Sequence, residues 1–398
     1  MRWFRPGLLT PAVLAGLLSI LSPGTAYAQK AAAPVPVEFP TADSVTLKGH
    51  WYPSGQGKEA PVVLLLHAFG EDSKKTEWLN LAKALQERGY AVLRFDFRGH
   101  GDSDTIFPGI PNPTMPKLSQ PGFWDQKENQ AGLRTFVASP KIRKVTTISF
   151  KDFKPDYHRI LANDIAAAKV FLDEKNDAGE CNTSNLILIG VKEGATLAAL
   201  WLNGEYSRYR MLGKFQVVPA AGGTLKILGG QPDTTAGSEG KCVTAAVWLS
   251  LSPTLGDKNV NPGAMLRTAG GPNKVPMLFL YGKGEGKGKQ ASEGALKTIT
   301  KGNNPKDFPF TLAYEVSSAA ADKLSGVQLL QKPLGMVKEI TGYLDKAQEG
   351  KNPKWKVRQD KTDTYAWVIN GQPYPLVSRP NGTLMPLFSR YVAFLHYQ

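Results

Sequence analysis

Histidines are the usual proton carriers of hydrolytic chemistry, and this 398-residue chain has five: His50, His67, His100, His158 and His396. None falls between positions 159 and 395. A shuttle must reach a nucleophile and an orienting acid by hydrogen bonds at the same time, so most of the second half of the chain has no residue for that work. The two cysteines, Cys181 and Cys242, each precede an apolar run, 186–189 and 245–251. If those runs are neighbouring parallel strands, both thiols lie at one edge of the sheet, and a disulfide between them is expected in an oxidising compartment. No clustered His/Cys set has metal-ligand spacing. The glycine-rich run 282–288 lacks the spacing of a phosphate-cradling loop, so no cofactor is expected.

The amino terminus carries a compartment signal. Arg2 and Arg5 precede an apolar run over 8–21, and Ala26-Tyr27-Ala28 offers a small-x-small cleavage site before Gln29. Residues 1–28 read as a signal peptide, with an uncleaved anchor as the alternative. The run is broken by Pro11 and falls short of the roughly 20 residues a spanning helix needs. No later stretch is apolar enough to cross a membrane. The expected product is exported, periplasmic or extracellular. Removing Arg2 and Arg5 takes the formal charge from +14 to +12, and the lysines are dispersed, with a mild concentration at Lys283, Lys287 and Lys289. Nothing has the pattern of a nucleic-acid module. An unknown small molecule or an envelope component is the expected partner, and an anionic polymer would attract such a surface loosely.

The elements that must position any chemistry alternate. After a Pro/Ala-rich linker (29–43), residues 44–52 suggest an antiparallel strand. Buried strands follow at 61–66 and 91–95, separated by a helix over 76–88 whose apolar residues Trp78, Leu81, Ala82 and Leu85 share one face. A proline-rich insertion at about 104–153, carrying Phe123-Trp124, reads as a lid or surface cover. The rhythm then resumes: helix 160–172, strand 186–189, helix 195–202, a Gly/Pro-rich excursion over 218–240, strands 245–251 and 275–281, a helix from 290, strand 310–316 and helix 330–343. Continuous apolar strands alternating with amphipathic helices predict an α/β fold with a mostly parallel sheet covered on both faces. Residues 348–398 change character, and Asn370-Gly371 and Asn381-Gly382 mark hairpin turns in a β-rich extension.

Two segments carry a family resemblance. His67-Ala68-Phe69-Gly70-Glu71-Asp72-Ser73 follows a buried strand and looks like the oxyanion loop of α/β-hydrolases. Phe95-Asp96-Phe97-Arg98-Gly99-His100-Gly101-Asp102-Ser103 is similar to the next strand-end turn of that fold. The likeness covers about 44–347, nearer to the serine aminopeptidase and dienelactone-hydrolase branches than to lipases. It implies a nucleophile elbow, Gly-x-Ser-x-Gly, at the turn from strand to helix. Here that turn reads Gly190-Val191-Lys192-Glu193-Gly194, with Lys192 in the serine position. It also implies Glu285 in the acid position, in a loop that Gly284, Gly286 and Gly288 suggest is loose, and oxyanion donors at the backbone N–H groups of Phe69 and Glu193. The expected histidine lies between the strand ending near Val316 and the last helix, where the chain reads Ser317-Ser318-Ala319-Ala320-Ala321-Asp322.

A lysine replaces a serine nucleophile only in a desolvated pocket with a carbonyl substrate. The other readings of Lys192 are a cation paired with Glu193 or Glu285, a binder of anions, or a lysine tolerated in a lost site. His67 and His100 read as braces of their turns. The sequence therefore points to a degenerate hydrolase-fold protein that binds rather than cleaves, with a pocket lined by His67, Phe69, Lys192, Glu193 and Glu285. The rivals are an active ester or peptide hydrolase that recruits Ser103 or His158, with His396 as a remote shuttle, and an envelope protein held by its basic surface and β-rich tail.

Overall fold

A computed structural model of the chain describes residues 32–41, 43–106, 132–134, 145–317, 323–358, 364–378 and 385–387. The expected signal peptide, Phe123-Trp124, His396 and the turn at Asn381-Gly382 lie outside the described residues, as does most of the segment in which a histidine was sought.

Strands β1 (Val35–Pro40), β2 (Thr46–Tyr52), β3 (Pro61–Leu66), β4 (Ala91–Phe95) and β5 (Asn182–Val191) are five of the eight strands of the main sheet. A long hairpin, β6 (Arg208–Ala220) and β7 (Thr224–Pro232), follows, then β8 (Val243–Leu249) and the short pair β9 (Thr254–Leu255) and β10 (Lys258–Asn259). The remaining strands are β11 (Met277–Gly282), β12 (Leu312–Val316), β13 (Tyr365–Ile369), β14 (Gln372–Ser378) and β15 (Met385–Leu387). The main sheet has the order β1-β2-β4-β3-β5-β8-β11-β12. Its first two strands are antiparallel to their neighbours, and from β4 to β12 every pairing is parallel.

The apolar strands bury both faces, as a parallel sheet must. Along β3, Val62, Leu64 and Leu66 join one core while Val63 and Leu65 join the other. Helices α1 (Thr76–Glu87) and α6 (Met336–Gln348) supply Trp78, Leu81, Leu85, Ile340 and Leu344 to the second core. The first core receives Ile165 and Leu172 of α2 (Ala162–Asp177) and Leu197 and Trp201 of α3 (Glu193–Ser207). Leu266 of α4 (Pro262–Gly270) and Ala295 of α5 (Gly286–Thr300) complete it. Gly89, at φ 88°, ends α1 in the left-handed conformation a β-carbon resists. The last helix starts six residues later than its apolar pattern suggests. Pro333 and Gly335, at φ 67°, break the run into two 3-10 turns before α6 begins.

Two regions depart from expectation. The excursion over 218–240 is largely strand, because β6 and β7 pair along most of their length. The C-terminal strands then extend this hairpin into an antiparallel sheet of order β15-β14-β13-β6-β7. Asn370 and Gly371, at φ 50° and 77°, make the hairpin turn their sequence signals. The disulfide is the other departure: Cys181 and Cys242 are free, buried thiols. Leu186 pairs with Val243, so Cys242 lies level with Asn185. The register also shifts just after Cys181: Pro61 pairs with Asn182 while Val62 pairs with Leu186, so the chain bulges between Cys181 and the regular part of β5. Cys181 instead donates to the Leu172 carbonyl at 3.8 Å.

Candidate functional site

The carboxyl ends of β3, β5, β8 and β11 converge around the turn from β5 into α3. Lys192 stands at its apex with φ 49° and ψ −119°, a region that L-residues occupy only under strain of roughly 1–3 kcal/mol. The flanking glycines make the turn sterically feasible. A β-carbon on Gly190 would sit 2.5 Å from Ala195 Cα, and one on Gly194 would sit 2.2 Å from the His67 carbonyl oxygen. Both glycines are thus required by strand-helix packing alone, whatever residue occupies the apex. The backbone is pinned by the Lys192 N–H donating to Leu249 O at 2.9 Å and by Lys192 O accepting from the Thr196 N–H at 3.2 Å. The Lys192 side chain is half-buried, and no described carboxylate lies within 4 Å of its ammonium.

The loop 67–73, expected to be an oxyanion loop, lies beside this turn. Its Phe69 N–H points at the Glu193 carboxylate, with Oε2 at 3.4 Å. Glu193 thus brings an anion of its own to one donor of the expected oxyanion hole. Above the loop, the Phe69 ring meets Phe150 and His158, each at 5.1 Å between centroids, and His100 at 6.1 Å. Residues at the end of the insertion therefore fill space over the loop.

Glu285 caps the start of α5 and is half-buried. Its Oε2 accepts from Ser250 Oγ at 2.5 Å and from the Gly282 N–H at 3.3 Å. Burial raises its pKa above the ordinary carboxylate value, opposed by these hydrogen bonds and by Lys192. The glycines read as a loose loop have a different role: Gly286 and Gly288 lie in the first turn of α5, and a β-carbon on Gly288 would meet the Glu285 carboxyl carbon at 2.7 Å. Ser250, at the end of β8 with φ 55°, also accepts from the Gly326 N–H at 2.6 Å. A β-carbon on Gly326 would touch Lys192 Cε at 2.8 Å. Ser250 and Gly326 were not singled out in the sequence. The rule that ligand sites gather at the carboxyl ends of parallel strands would have found Ser250. Gly326 is recognisable only from the contact it makes.

The histidines have other partners. His67 donates from Nδ1 to Ala68 O at 2.7 Å and accepts at Nε2 from the Phe97 N–H at 2.9 Å, which joins two strand-end loops. His100 donates from Nδ1 to Arg98 O at 3.0 Å, and burial pushes its pKa down to about 3. His158 lies under Gly256 with its Nδ1 buried and unpartnered, and burial lowers its pKa as well. Ser103 Oγ is buried and accepts from the Lys48 N–H at 2.9 Å. Among the described residues no hydroxyl or thiol is hydrogen-bonded to a histidine.

The turn after β4 is locked by charge. Arg98 is fully buried and donates to Asp164 at 2.7 Å, to Asp43 at 2.6 and 3.0 Å, and to Tyr157 at 2.9 Å. Burial raises the Asp164 pKa to about 6 against the pull of Arg98. For Asp43 the guanidinium and the Thr41 hydroxyl outweigh burial and hold its pKa below the ordinary value.

A family model described as alpha/beta hydrolase fold matches residues 61–115, from β3 through this turn. No curated protein matches the sequence. Among solved structures, an esterase of Pyrococcus furiosus overlaps at 14% identity and a TM-score of 0.45, covering 79% of this chain and 91% of its own. A putative alpha/beta hydrolase of unknown function from Agrobacterium tumefaciens gives 16%, 0.43, 80% and 98%. A dienelactone hydrolase from Anabaena variabilis gives 14%, 0.42, 80% and 97%.

Proposed function

We propose that this chain is a non-catalytic member of the α/β-hydrolase superfamily, exported and used as a binding or scaffold protein. The observation that carries this reading is Lys192 at the apex of an otherwise intact elbow. The strained backbone that would thrust a nucleophile into the pocket is kept, but an ammonium stands where a hydroxyl is needed. Its surroundings support the same reading. Glu193 engages the Phe69 N–H that would otherwise receive a developing oxyanion, and Glu285 is taken up by Ser250. What remains at the elbow is a cation beside two carboxylates, suited to holding a ligand and lacking a route for a proton. Export rests on the leader alone and predicts a mature chain starting at Gln29 in the extracytoplasmic fraction.

The test is steady-state turnover of chromogenic esters and aminoacyl amides by the mature protein, by Lys192→Ala and by Lys192→Ser. The reading expects no turnover above buffer from any of the three, since a restored hydroxyl would still lack its base. Turnover by the native protein that Lys192→Ala abolishes would overturn it, and turnover indifferent to Lys192 would place hydrolytic chemistry elsewhere in the fold.

A further inference from the structure

At the opposite, amino-terminal ends of β5 and β8 the irregular segment 351–358 lies against the core, held by specific hydrogen bonds. Asn182 Nδ2 donates to Pro353 O at 2.7 Å, Asn176 Nδ2 to Lys356 O at 2.9 Å, and Trp355 Nε1 to Asn176 O at 3.1 Å. Lys58 lies over the Trp355 ring at 4.1 Å from its centroid. Between this segment, β6 and the turn before β8 runs a groove of about 480 Å³. That is within the size range of small-molecule sites.

Arg358, at the end of the segment, lines the groove and is only 4% exposed. Its Nη2 donates to Ser184 Oγ at 2.8 Å, and its backbone N–H to Asp177 Oδ1 at 2.8 Å. Its Nε is buried without a partner, and no described carboxylate pairs with the guanidinium. A buried cation is ordinarily matched by an anion, as Arg98 is matched twice over in this same protein. The rest of the lining does not supply one. Lys241 and Lys354 are exposed at the rim, Arg210 is paired with Asp233 at 2.7 Å, and Glu239 is the single acidic lining residue among those described. Val357 and Tyr365 add an apolar wall.

We propose that this groove binds a small phosphate-bearing anion, with Arg358 as the buried anchor and Lys241 and Lys354 as the outer cations. A guanidinium fork suits phosphate oxygens, and several converging cations favour a dianion over a carboxylate. The groove's apolar wall and volume leave room for a small organic body on the phosphate. The site is separate from the turn at Lys192, since the paired stretch 186–191 of β5 lies between Ser184 and Lys192.

Isothermal titration of the full chain with inorganic phosphate and with glycerol phosphate, at matched ionic strength in chloride, tests this. The expected result is saturable one-to-one binding that raises Tm, weakened about tenfold or more by Lys241→Ala combined with Lys354→Ala and lost in Arg358→Gln. The lysine pair is exposed, so its variant reports on binding even if Arg358→Gln does not fold. No heat and no Tm shift beyond the chloride control would overturn the proposal, as would unchanged affinity in the lysine variant. Binding to phosphatidylglycerol vesicles without any response to the soluble phosphates would also overturn it, in favour of a surface interaction.

Discussion

At the carboxyl end of β5 the backbone is strained while the neighbouring carboxylates Glu193 and Glu285 have partners; at its amino end a buried guanidinium has no carboxylate partner among the described residues. Lys192 holds a conformation that disfavours any side chain, yet Glu193, Glu285 and Ser250 around it are engaged with one another's loops. Arg358 sits on an irregular segment with one neutral hydroxyl for its side chain. Strain at the elbow is explained by the packing of Gly190 and Gly194 and needs no chemistry to sustain it. An unmatched buried charge is not explained by packing. On the two proposals made above, the site of lost chemistry and the site of ligand binding lie at different ends of one strand.

The largest expected effect sharpens the contrast between matched and unmatched cations. Arg98→Gln should cost about 3–5 kcal/mol in urea unfolding, because it strands the Asp43 and Asp164 carboxylates in the interior. Arg358→Gln, measured in chloride, should cost less than about 1 kcal/mol, since it removes a charge with no carboxylate partner among the described residues. Equal losses would break the comparison.

The next effect depends on pH. The folded state lowers the His100 pKa from 6.5 to about 3, so the fold favours the neutral ring. The corresponding stability is complete above pH 6.5 and is lost as pH falls toward 3, about 3 kcal/mol of it by pH 4. His67 and His158, also lowered, act in the same direction. Asp164, raised to about 6, acts oppositely: its protonation favours the fold as pH falls from 6 to 3.8. Tm measured from pH 7 to 4 should therefore fall, and His100→Asn should flatten the curve. A His100→Asn profile parallel to the native one would remove His100 as a source of acid sensitivity.

Smaller effects probe the elbow itself. Lys192→Gly should stabilise the protein by about 1 kcal/mol, because glycine relieves the positive φ at some cost in unfolded-chain entropy. A loss of stability would mean that the lysine stem against Gly326 contributes more than the strain removes. Glu193→Gln should shift stability by less than about 0.5 kcal/mol, since its contact with the Phe69 N–H is long and partly exposed. Denaturant midpoints distinguish these outcomes.

Much of the main sheet was legible because buried parallel strands read as continuous apolar runs and α1 shows its face through Trp78, Leu81 and Leu85. The tight turn at Lys192 was legible through Gly190 and Gly194, which steric contact demands, and the turn after β3 through Gly70, at φ 71°. The β6–β7 hairpin was not, because its glycines and prolines resemble loop composition and its exposed strands lack an apolar signature. The disulfide expectation failed because the chain bulges between Cys181 and the regular part of β5, which adjacency in sequence to two strands does not specify. The Glu193 contact with Phe69 and the use of Ser250 by Glu285 join residues 124 and 35 positions apart, so only the folded chain reveals them. Arg358 was invisible for the same reason: burial and the lack of a countercharge are properties of its surroundings.

The most direct test of the central claim, that the elbow retains its shape without its chemistry, is intact-mass measurement of the mature protein after prolonged exposure to a fluorophosphonate probe, with peptide mapping of any adduct. An unchanged mass is the predicted result. A single stoichiometric adduct on Lys192, Ser250 or another hydroxyl beside the oxyanion loop would contradict it and identify an activated nucleophile.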